Sequence, residues 1–409
     1  MQIPLLFGAL LAPPVALFAP LGLTVVGLLV ALGLVATGWK REYQRILSRP
    51  LIGFVILIAA WGFISALWAL DPPETLSATA RLLVIALAGI GMLTVLGNGH
   101  PSCRWVWFAL SFSLGIAALF LLWDYVGHRR PATTWFYHLR GFQGEPGGQK
   151  SYFSRFASLL LLLMWPLALA TARRWGRVWG GVVLLCAAAI LAVGDSMAAR
   201  IGVLLGMMAM AVVWWRPTLA LATLRWSILA VILALPTAMH FVPSPQKTMQ
   251  EWILLPLSAH HRLTIWSFAA ERIAEKPWFG WGLNASRSIP GGDQEIIVTR
   301  DLGPDHPQQF LIEAMLPLHP HNAILQWWLE LGAIGTMLMA AFIWWCLRRI
   351  ENMTDRGARA IFAATFVAGL LSSAVSYGFW QNWWQLTLWI AAGFCLSASR
   401  TASPKSKTA

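Results

Sequence analysis

Charged side chains are what this sequence lacks most. Asp, Glu, Lys and Arg make up 11% of its 409 residues, where a soluble domain carries roughly 25%. A soluble chain of this length needs charge to cover its wetted surface, so an ordinary soluble protein is excluded. A hydrophobic content of 58% excludes a disordered chain as well. Cysteine is also scarce. Cys103, Cys186, Cys346 and Cys395 fall at no metal-ligand spacing and are too few for a disulfide scaffold. They read as free thiols, three of them inside apolar runs. No P-loop, no GxGxxG at a strand-to-helix turn and no HExxH is present, which removes the common nucleotide and zinc-hydrolase patterns. Acids are outnumbered: 17 Asp and Glu stand against 30 Lys and Arg, giving +13. In a soluble chain that excess suggests nucleic acid. In a membrane protein it is first an orientation signal.

What is present is a series of long apolar runs. A spanning helix needs about 20 predominantly apolar residues. The opening uncharged stretch, Ile3 to Trp39, is too long for one span, and Pro13, Pro14, Pro20 and Gly22 predict a break into two. No charge follows Met1 until Lys40, and no cleavable signal pattern is expected. Further runs cover Leu51–Leu70, Leu82–Leu96, Trp105–Val126, Phe153–Ala172, Val178–Val193, Ile201–Trp215 and Trp226–Phe241. After a polar interval come His321–Leu347, Ala360–Gly378 and Trp383–Leu396. The expected fold is an all-α polytopic membrane protein of about 12 transmembrane helices. Spans 1–9 occupy residues 1–242, a long loop 243–320, spans 10–12 residues 321–397, and a short tail 398–409.

Loop charge orients these spans. One set of loops, with Lys40, Arg41, Arg45, Arg49, Arg104, Arg173, Arg174, Arg177, Arg216, Arg225, Arg348, Arg349, Arg356, Arg359, Arg400, Lys405 and Lys407, holds only three acids, Glu42, Glu351 and Asp355. The rest of the chain is nearly neutral. The basic set is expected inside, with both termini cytoplasmic. The long loop then lies outside, and loops of that length are usually functional. Within it, His261–Lys276 places Ile265, Phe268, Ala269 and Ile273 at helical spacing. That amphipathic helix is expected at the membrane surface. The 25 Trp cluster near span ends and read as an interfacial belt. Trp266, Trp278 and Trp281 are the outer-face candidates for stacking on sugars.

A few outer-face residues stand out as chemistry. Arg200 ends the run GDSMAAR at the outer entrance to a span. Its plain reading is an arginine reaching for headgroups. Arg262 lies near the start of the amphipathic helix, where a basic residue opposes the macrodipole. A solvated loop arginine is its plain reading, and an anionic ligand is the functional one. His321 sits where a polar loop enters a long apolar helix, near the first turn expected there. A neutral histidine can accept a proton near pH 7. His319 competes with it, and Asn322 can orient the base or a sugar hydroxyl. The acidic pairs Asp293/Glu295 and Asp301/Asp305 read as solvated rather than as a metal site, so no metal is expected. Asp124 and Glu330 are the carboxylates that a transport mechanism would use; Glu330 can instead line the site or pair with an arginine.

The run His321-Asn322-Ala-Ile-Leu325 with Gly332 resembles the HN-x2-L-x6-G signature of the O-antigen ligase family. Upstream, Pro277-Trp-Phe-Gly280-Trp-Gly282 resembles the stretch ahead of that signature. The order of spans, long loop and histidine helix is similar too. Many relatives place Ser and Arg side by side at the earlier motif, whereas Met-Ala-Ala separates Ser196 from Arg200 here. The resemblance implies a C-type glycosyltransferase-like membrane enzyme of the bacterial inner membrane. Such an enzyme moves a glycan from undecaprenyl diphosphate to lipid A-core at the periplasmic face, in lipopolysaccharide biosynthesis, without a cofactor. It implies His321 as base or acceptor-positioning residue, and Arg200 and Arg262 as ligands of the donor diphosphate. Membrane lipids are then partners and nucleic acid is not. O-antigen or exopolysaccharide polymerases and protein-directed oligosaccharyltransferases share the machinery. A transporter of a lipid-linked sugar is the rival from another class.

Overall fold

The computed structural model describes residues 2–38, 49–98, 103–126, 131–139, 141, 154–194, 196–300 and 309–401. Lys40, Arg41, Glu42, Arg45, Asp195, Asp301, Asp305, Lys405 and Lys407 lie outside the described residues. So do most of the short tail and much of the loop after residue 126. The chain forms α1 (Gln2–Phe18), α2 (Leu23–Gly38), α3 (Arg49–Ser65), α4 (Pro72–Asn98), α5 (Arg104–Val126) and the short α6 (Pro131–Leu139). It continues as α7 (Ser154–Trp175), α8 (Arg177–Val193), α9 (Met197–Trp215) and α10 (Pro217–Met239). The long loop carries α11 (Pro245–Glu251), α12 (Leu257–Glu275), β1 (Glu295–Arg300) and β2 (Gln309–Ala314). α13 (Ala323–Glu351), α14 (Arg356–Val375) and α15 (Asn382–Ser399) complete it. Eight helical segments are long and apolar enough to cross a membrane among the described residues. The shorter apolar α1, α3 and α8 and the 18-residue α15 accompany them. The polytopic helical fold is therefore as expected.

The bundle is built around α7. Its residues Phe156 to Thr171 are buried without exception, the arrangement expected of a helix that is apolar on every side. α8, α14, α15 and α1 pack against it. The break in the opening stretch falls at the 3-10 turn Pro20–Gly22, while Pro13 and Pro14 stay inside α1. α9 and α14 run antiparallel in extended contact. Arg356 at the start of α14 donates through Nε to the Trp214 carbonyl at the end of α9, at 2.6 Å. At the other end of that pair, α9 begins at Ser196, whose hydroxyl accepts the Ala199 N–H, and α14 ends at Val375–Ser376.

Several expectations need correction. The fold is not purely α, because β1 and β2 pair antiparallel with Val298 opposite Leu311. Those two side chains are buried together with Met249 of α11, so the hairpin makes its own small core. The predicted amphipathic face is real, but protein covers it rather than lipid. Ile265, Phe268, Ala269 and Ile273 of α12 pack on Leu316, Leu325 and Leu329. Arg225 is not a loop residue. α10 starts directly after Arg216, which leaves Arg225 two turns inside it, 6% exposed and ion-paired with Glu351 at 2.6 Å. Nor are all tryptophans interfacial. Trp107, Trp165, Trp327 and Trp384 are fully buried, because rings on helix-facing positions fill gaps between helices as readily as they face headgroups.

Basic residues at the end opposite His321 also close helix termini. Arg173 donates to the Ala398 carbonyl at 3.0 Å and to the Ser399 carbonyl, at the end of α15, and pairs with Asp355. Asp355 in turn caps α14 by accepting the Ala358 N–H at 2.8 Å. The last carbonyls of a helix have no partner within it, so part of the positive excess is used inside the structure.

Candidate active site

The two sequence stretches that carry the resemblance meet at a break in α13. Gly332 has φ +63° and ψ −167°, which interrupts the helix. A conformation of that kind is essentially restricted to glycine. The chain 277–282 lies along the break and takes over its hydrogen bonds. Trp281 and Gly282 donate their N–H groups to the Leu329 and Glu330 carbonyls, both at 2.9 Å, and Ala333 donates to the Pro277 carbonyl at 2.8 Å. The approach is close enough that a Cβ on Gly332 would stand 2.4 Å from the Trp278 carbonyl, and one on Gly280 would stand 2.5 Å from the Glu330 carbonyl carbon. Gly332→Ala combines a forbidden φ/ψ with a backbone clash and should cost above about 3 kcal/mol. Thermal unfolding in detergent should show a large drop for it and little change for Gly53→Ala, whose added Cβ meets nothing within 4 Å.

Glu330 fixes the same junction. It is 0% exposed and accepts four hydrogen bonds. Asn284 N–H reaches it at 2.7 Å and Gln326 Nε2 at 3.0 Å, and the Ser286 hydroxyl and Trp380 indole N–H also donate. Gln326 Oε1 accepts the Phe379 N–H at 2.7 Å. Among the described residues no arginine pairs with the carboxylate, and it is fully buried. It ties α13 to the turn 284–288 and to the segment between α14 and α15. Asp124 is likewise committed, accepting the Thr133 N–H and hydroxyl, each at 2.7 Å.

This clamp sets the ground for the histidines. Asn322 caps α13, its Oδ1 accepting the Ile324 and Leu325 N–H groups at 3.0 and 3.2 Å. Its carbonyl is thus spent on the helix. His321 precedes the cap rather than lying in the first turn, with φ +52°. Its Nδ1 lies 2.9 Å from the Ser376 carbonyl, which can only accept, so the ring carries a proton on Nδ1. In the neutral ring the lone pair is then on Nε2. Its neighbour is different in kind. His319 is buried, its ring 4.2 Å from that of His321. Two backbone N–H groups approach it: that of His321 reaches Nδ1 and that of Gly378 reaches Nε2, each at 3.1 Å. A doubly protonated ring would face two donors. Burial first, then the charges of His321 and Arg287, hold its pKa down to about 3. His319 thereby holds the backbone of His321 through its Nδ1.

The sign of that shift carries a prediction. The unfolded chain binds a proton at His319 below pH 6.5 and the folded chain does not until about pH 3. Stability is therefore lost as pH falls from 6.5, by about 2 kcal/mol at pH 5 from this group alone. The melting temperature between pH 7.5 and 5 should fall less in His319→Gln than in the native chain.

The two arginines expected at the site lie within the first two turns of α12 and α9. Arg262 is the sixth residue of α12, one turn further in than the sequence indicated, so the helix dipole matters less. One turn on, Trp266 donates to the Pro320 carbonyl at 2.8 Å, which fixes this helix beside the histidines. Arg262 Nη1 reaches the Ser258 carbonyl at 3.3 Å, while Nε is buried with no partner. Burial pulls its pKa below the usual arginine value. Arg200, the fourth residue of α9, donates to the Gly194 carbonyl and also has a buried, unpartnered Nε. It lies at the end of the antiparallel α9–α14 pair that carries Ser376, the partner of His321. Neither arginine has an acid within ion-pair distance among the described residues. Arg300, by contrast, is a structural arginine, buried and donating to the carbonyls of Met249, Ile253 and Leu255.

The sequence reading gave no role to Arg287, exposed on the 3-10 turn Ala285–Ser288. It missed the turn Ser376–Gly378 too. That turn has no signal in spacing; the end of α14 brings it to His321 and His319. Of the tryptophans proposed to stack on sugars, Trp281 is buried and donates to the Arg272 carbonyl at 2.9 Å, and Trp266 holds Pro320. Trp278 is 66% exposed. Asp293 and Glu295 are exposed.

With this geometry in view, comparison with known proteins shows what the chain is similar to. The O-antigen ligase family model matches residues 182–340. Arg200, Arg262, Arg287, both histidines, Glu330 and Gly332 all fall inside that match. A protein of Rickettsia conorii named "Putative polysaccharide ligase" is 27% identical over 337 residues, 81% of this chain and 76% of its own length. The Rickettsia prowazekii protein of that name is 27% identical over 82% of this chain and 78% of its own. A Rickettsia bellii relative is 36% identical over 36% of this chain and 34% of its own. The resemblance to the O-antigen ligase family is thereby borne out.

Proposed function

We propose that the protein is a membrane-embedded glycosyltransferase that joins a glycan from undecaprenyl diphosphate to a hydroxyl of lipid A-core at the periplasmic face of the inner membrane. What supports this reading is the chemistry of the residues at the outer ends of α9, α12 and α13. His321, with its proton on Nδ1, and the two arginines Arg200 and Arg262, each with a buried, unpartnered Nε and no carboxylate partner among the described residues, come from elements that meet at one end of the bundle. Leaving a guanidinium nitrogen buried and unpartnered is costly, and an anionic ligand offsets the cost. Guanidinium forks match phosphate oxygens with paired, charge-assisted hydrogen bonds.

The chemistry then follows. The acceptor oxygen attacks the anomeric carbon while its proton passes to His321 Nε2. The bond from that carbon to the diphosphate oxygen breaks, and its electron pair leaves with the diphosphate. Arg200 and Arg262 meet the charge that appears there, a contribution often the largest in such reactions. Attack opposite the leaving group inverts the anomeric centre. Arginines supply the charge stabilisation, so the reaction is written without a metal. Asp124 and Glu330, the two carboxylates that transport would use, are both committed to structural hydrogen bonds, which favours transfer over transport.

The test is reconstitution. Purified protein would be incubated with undecaprenyl diphosphate glycan and lipid A-core, with and without chelator. Glycan on lipid A-core, unaffected by chelator, is expected. Longer lipid-linked glycans would assign a polymerase instead, and movement of donor across the bilayer with no new bond would assign a transporter.

A further inference from the structure

The segment that closes the α13 break does so with its backbone, the Pro277 and Trp278 carbonyls accepting from Ala333 at 2.8 Å and from Ile334 at 3.4 Å. Its side chains are left for other work. Together with Trp68, in the turn between α3 and α4, they line a cleft of about 470 Å³. Trp278 and Phe279 are 66% and 53% exposed. Trp68 stands edge-on to Phe279, ring centroids 5.6 Å apart. Trp61 stacks on Phe279 at 6.1 Å and donates its indole N–H to the Leu331 carbonyl at 3.0 Å, so the aromatic wall is anchored to the break itself. Glu275 and Lys276, at the end of α12, bring charge to the same cleft. Glu275 is exposed and paired with Arg272 at 2.8 Å, and the Lys276 ammonium lies 4.0 Å from the Trp281 ring centroid. The Trp68 indole N–H is buried with no partner.

We propose that this cleft binds a sugar ring of a substrate glycan, away from the reacting carbon, a role that rests on the glycosyl transfer proposed above. A pyranose presents C–H groups on its faces and hydroxyls around its edge. A site for it needs aromatic surface with a few donors and acceptors beside it, and the cleft has both. Glu275 can accept from a hydroxyl, Lys276 can donate to one, and the Trp68 N–H lacks an acceptor. An acyl chain would leave these polar groups unmet. A tryptophan of an interfacial belt needs neither a cleft nor a fixed ring beside it. The position fits as well. From the Asn322 cap to Gly332 is ten residues of α13, about 15 Å. That is beyond the sugar reacting at His321 and within reach of a glycan several sugars long. The turn that carries Trp68 runs on to Asp71, which is exposed and caps α4 by accepting the Glu74 N–H at 3.0 Å, so the cleft opens at a wetted edge of the bundle.

The experiment uses the full chain in nanodiscs and two lipid-free oligosaccharides. One is the glycan released by mild acid from the undecaprenyl diphosphate donor, and the other is the core oligosaccharide released from lipid A-core in the same way. Binding is followed by saturation-transfer NMR. The native chain should bind one of the two, and which one tells whether the cleft serves donor or acceptor. Trp278→Ala should weaken that binding about tenfold, as expected for the loss of one aromatic face, and Trp278→Phe should keep most of it. Both variants should melt as the native chain does, because residue 278 holds the break through its carbonyl. In transfer assays Trp278→Ala should raise the KM of the same substrate by a similar factor and leave kcat within about twofold, the pattern of a lost binding contact. A native chain that binds neither oligosaccharide would overturn the proposal. So would a Trp278→Ala chain that binds as tightly as the native one, which would return the ring to the interfacial belt. Absence of transfer from intact donor to every acceptor would instead overturn the functional reading, and binding of the free oligosaccharides would still decide the cleft.

Discussion

His321→Ala is expected to lower glycan transfer by about 10²–10⁴-fold, the usual contribution of a positioned acid or base. Its melting temperature should change little. The ring's bond from Nδ1 to the Ser376 carbonyl, at 2.9 Å, is worth about 1 kcal/mol. The φ of +52° works in the same direction, since alanine is no better suited to it than histidine. A structural role predicts the reverse, with a large stability loss and activity falling only as folded protein is lost. His319→Gln separates the two histidines further. It keeps a side chain able to accept the His321 N–H, so it should retain far more activity than His321→Ala. Equal losses would mean that the proton acceptor has been assigned to the wrong ring.

Arg262→Gln gives the second large effect and an unusual signature. Transfer should drop about 10²–10³-fold, the range seen when one group stabilising a developing anion is removed. Stability should hold or rise. Arg262 has a buried Nε without a partner and a single bond to a helical carbonyl at 3.3 Å, so burial penalises its charge in the folded chain. A neutral side chain of similar length removes that penalty. Most buried arginines behave oppositely, and Arg300→Gln, which breaks bonds to the carbonyls of Met249, Ile253 and Leu255, serves as the contrast. Melting temperature and initial rate measured on the same preparations check both. A loss of stability in Arg262→Gln matching that in Arg300→Gln would place Arg262 among the structural arginines.

The sequence makes the helices legible because a membrane-spanning segment needs an apolar run of fixed length. Each predicted span has a helix at its place, and the errors lie at the ends. Arg225 looked like a loop residue because a charge normally ends a span. Its charge is instead neutralised by Glu351, 126 residues further on, which no local pattern records. The amphipathic stretch of α12 announced its apolar face correctly, but periodicity cannot tell whether lipid or protein covers that face. At the site, the histidine run was legible as a motif. The reason its glycine lies at that distance was not. Gly332 sits where α13 opens, and the segment Pro277–Gly282 closes the opening with its own backbone. His319 and His321 were indistinguishable by type. Backbone N–H groups from His321 and Gly378 separate them, and the second belongs to a turn reached only after α14.

The configuration of the new glycosidic bond tests the account most directly. Product formed by the purified protein from an undecaprenyl diphosphate glycan of known anomeric configuration would be examined by NMR, with the released undecaprenyl diphosphate quantified alongside. Direct displacement assisted by His321 predicts an inverted anomeric centre and one undecaprenyl diphosphate released for each bond made. Retention of configuration would contradict it, because that outcome requires a covalent glycosyl intermediate and a nucleophile this site does not assign.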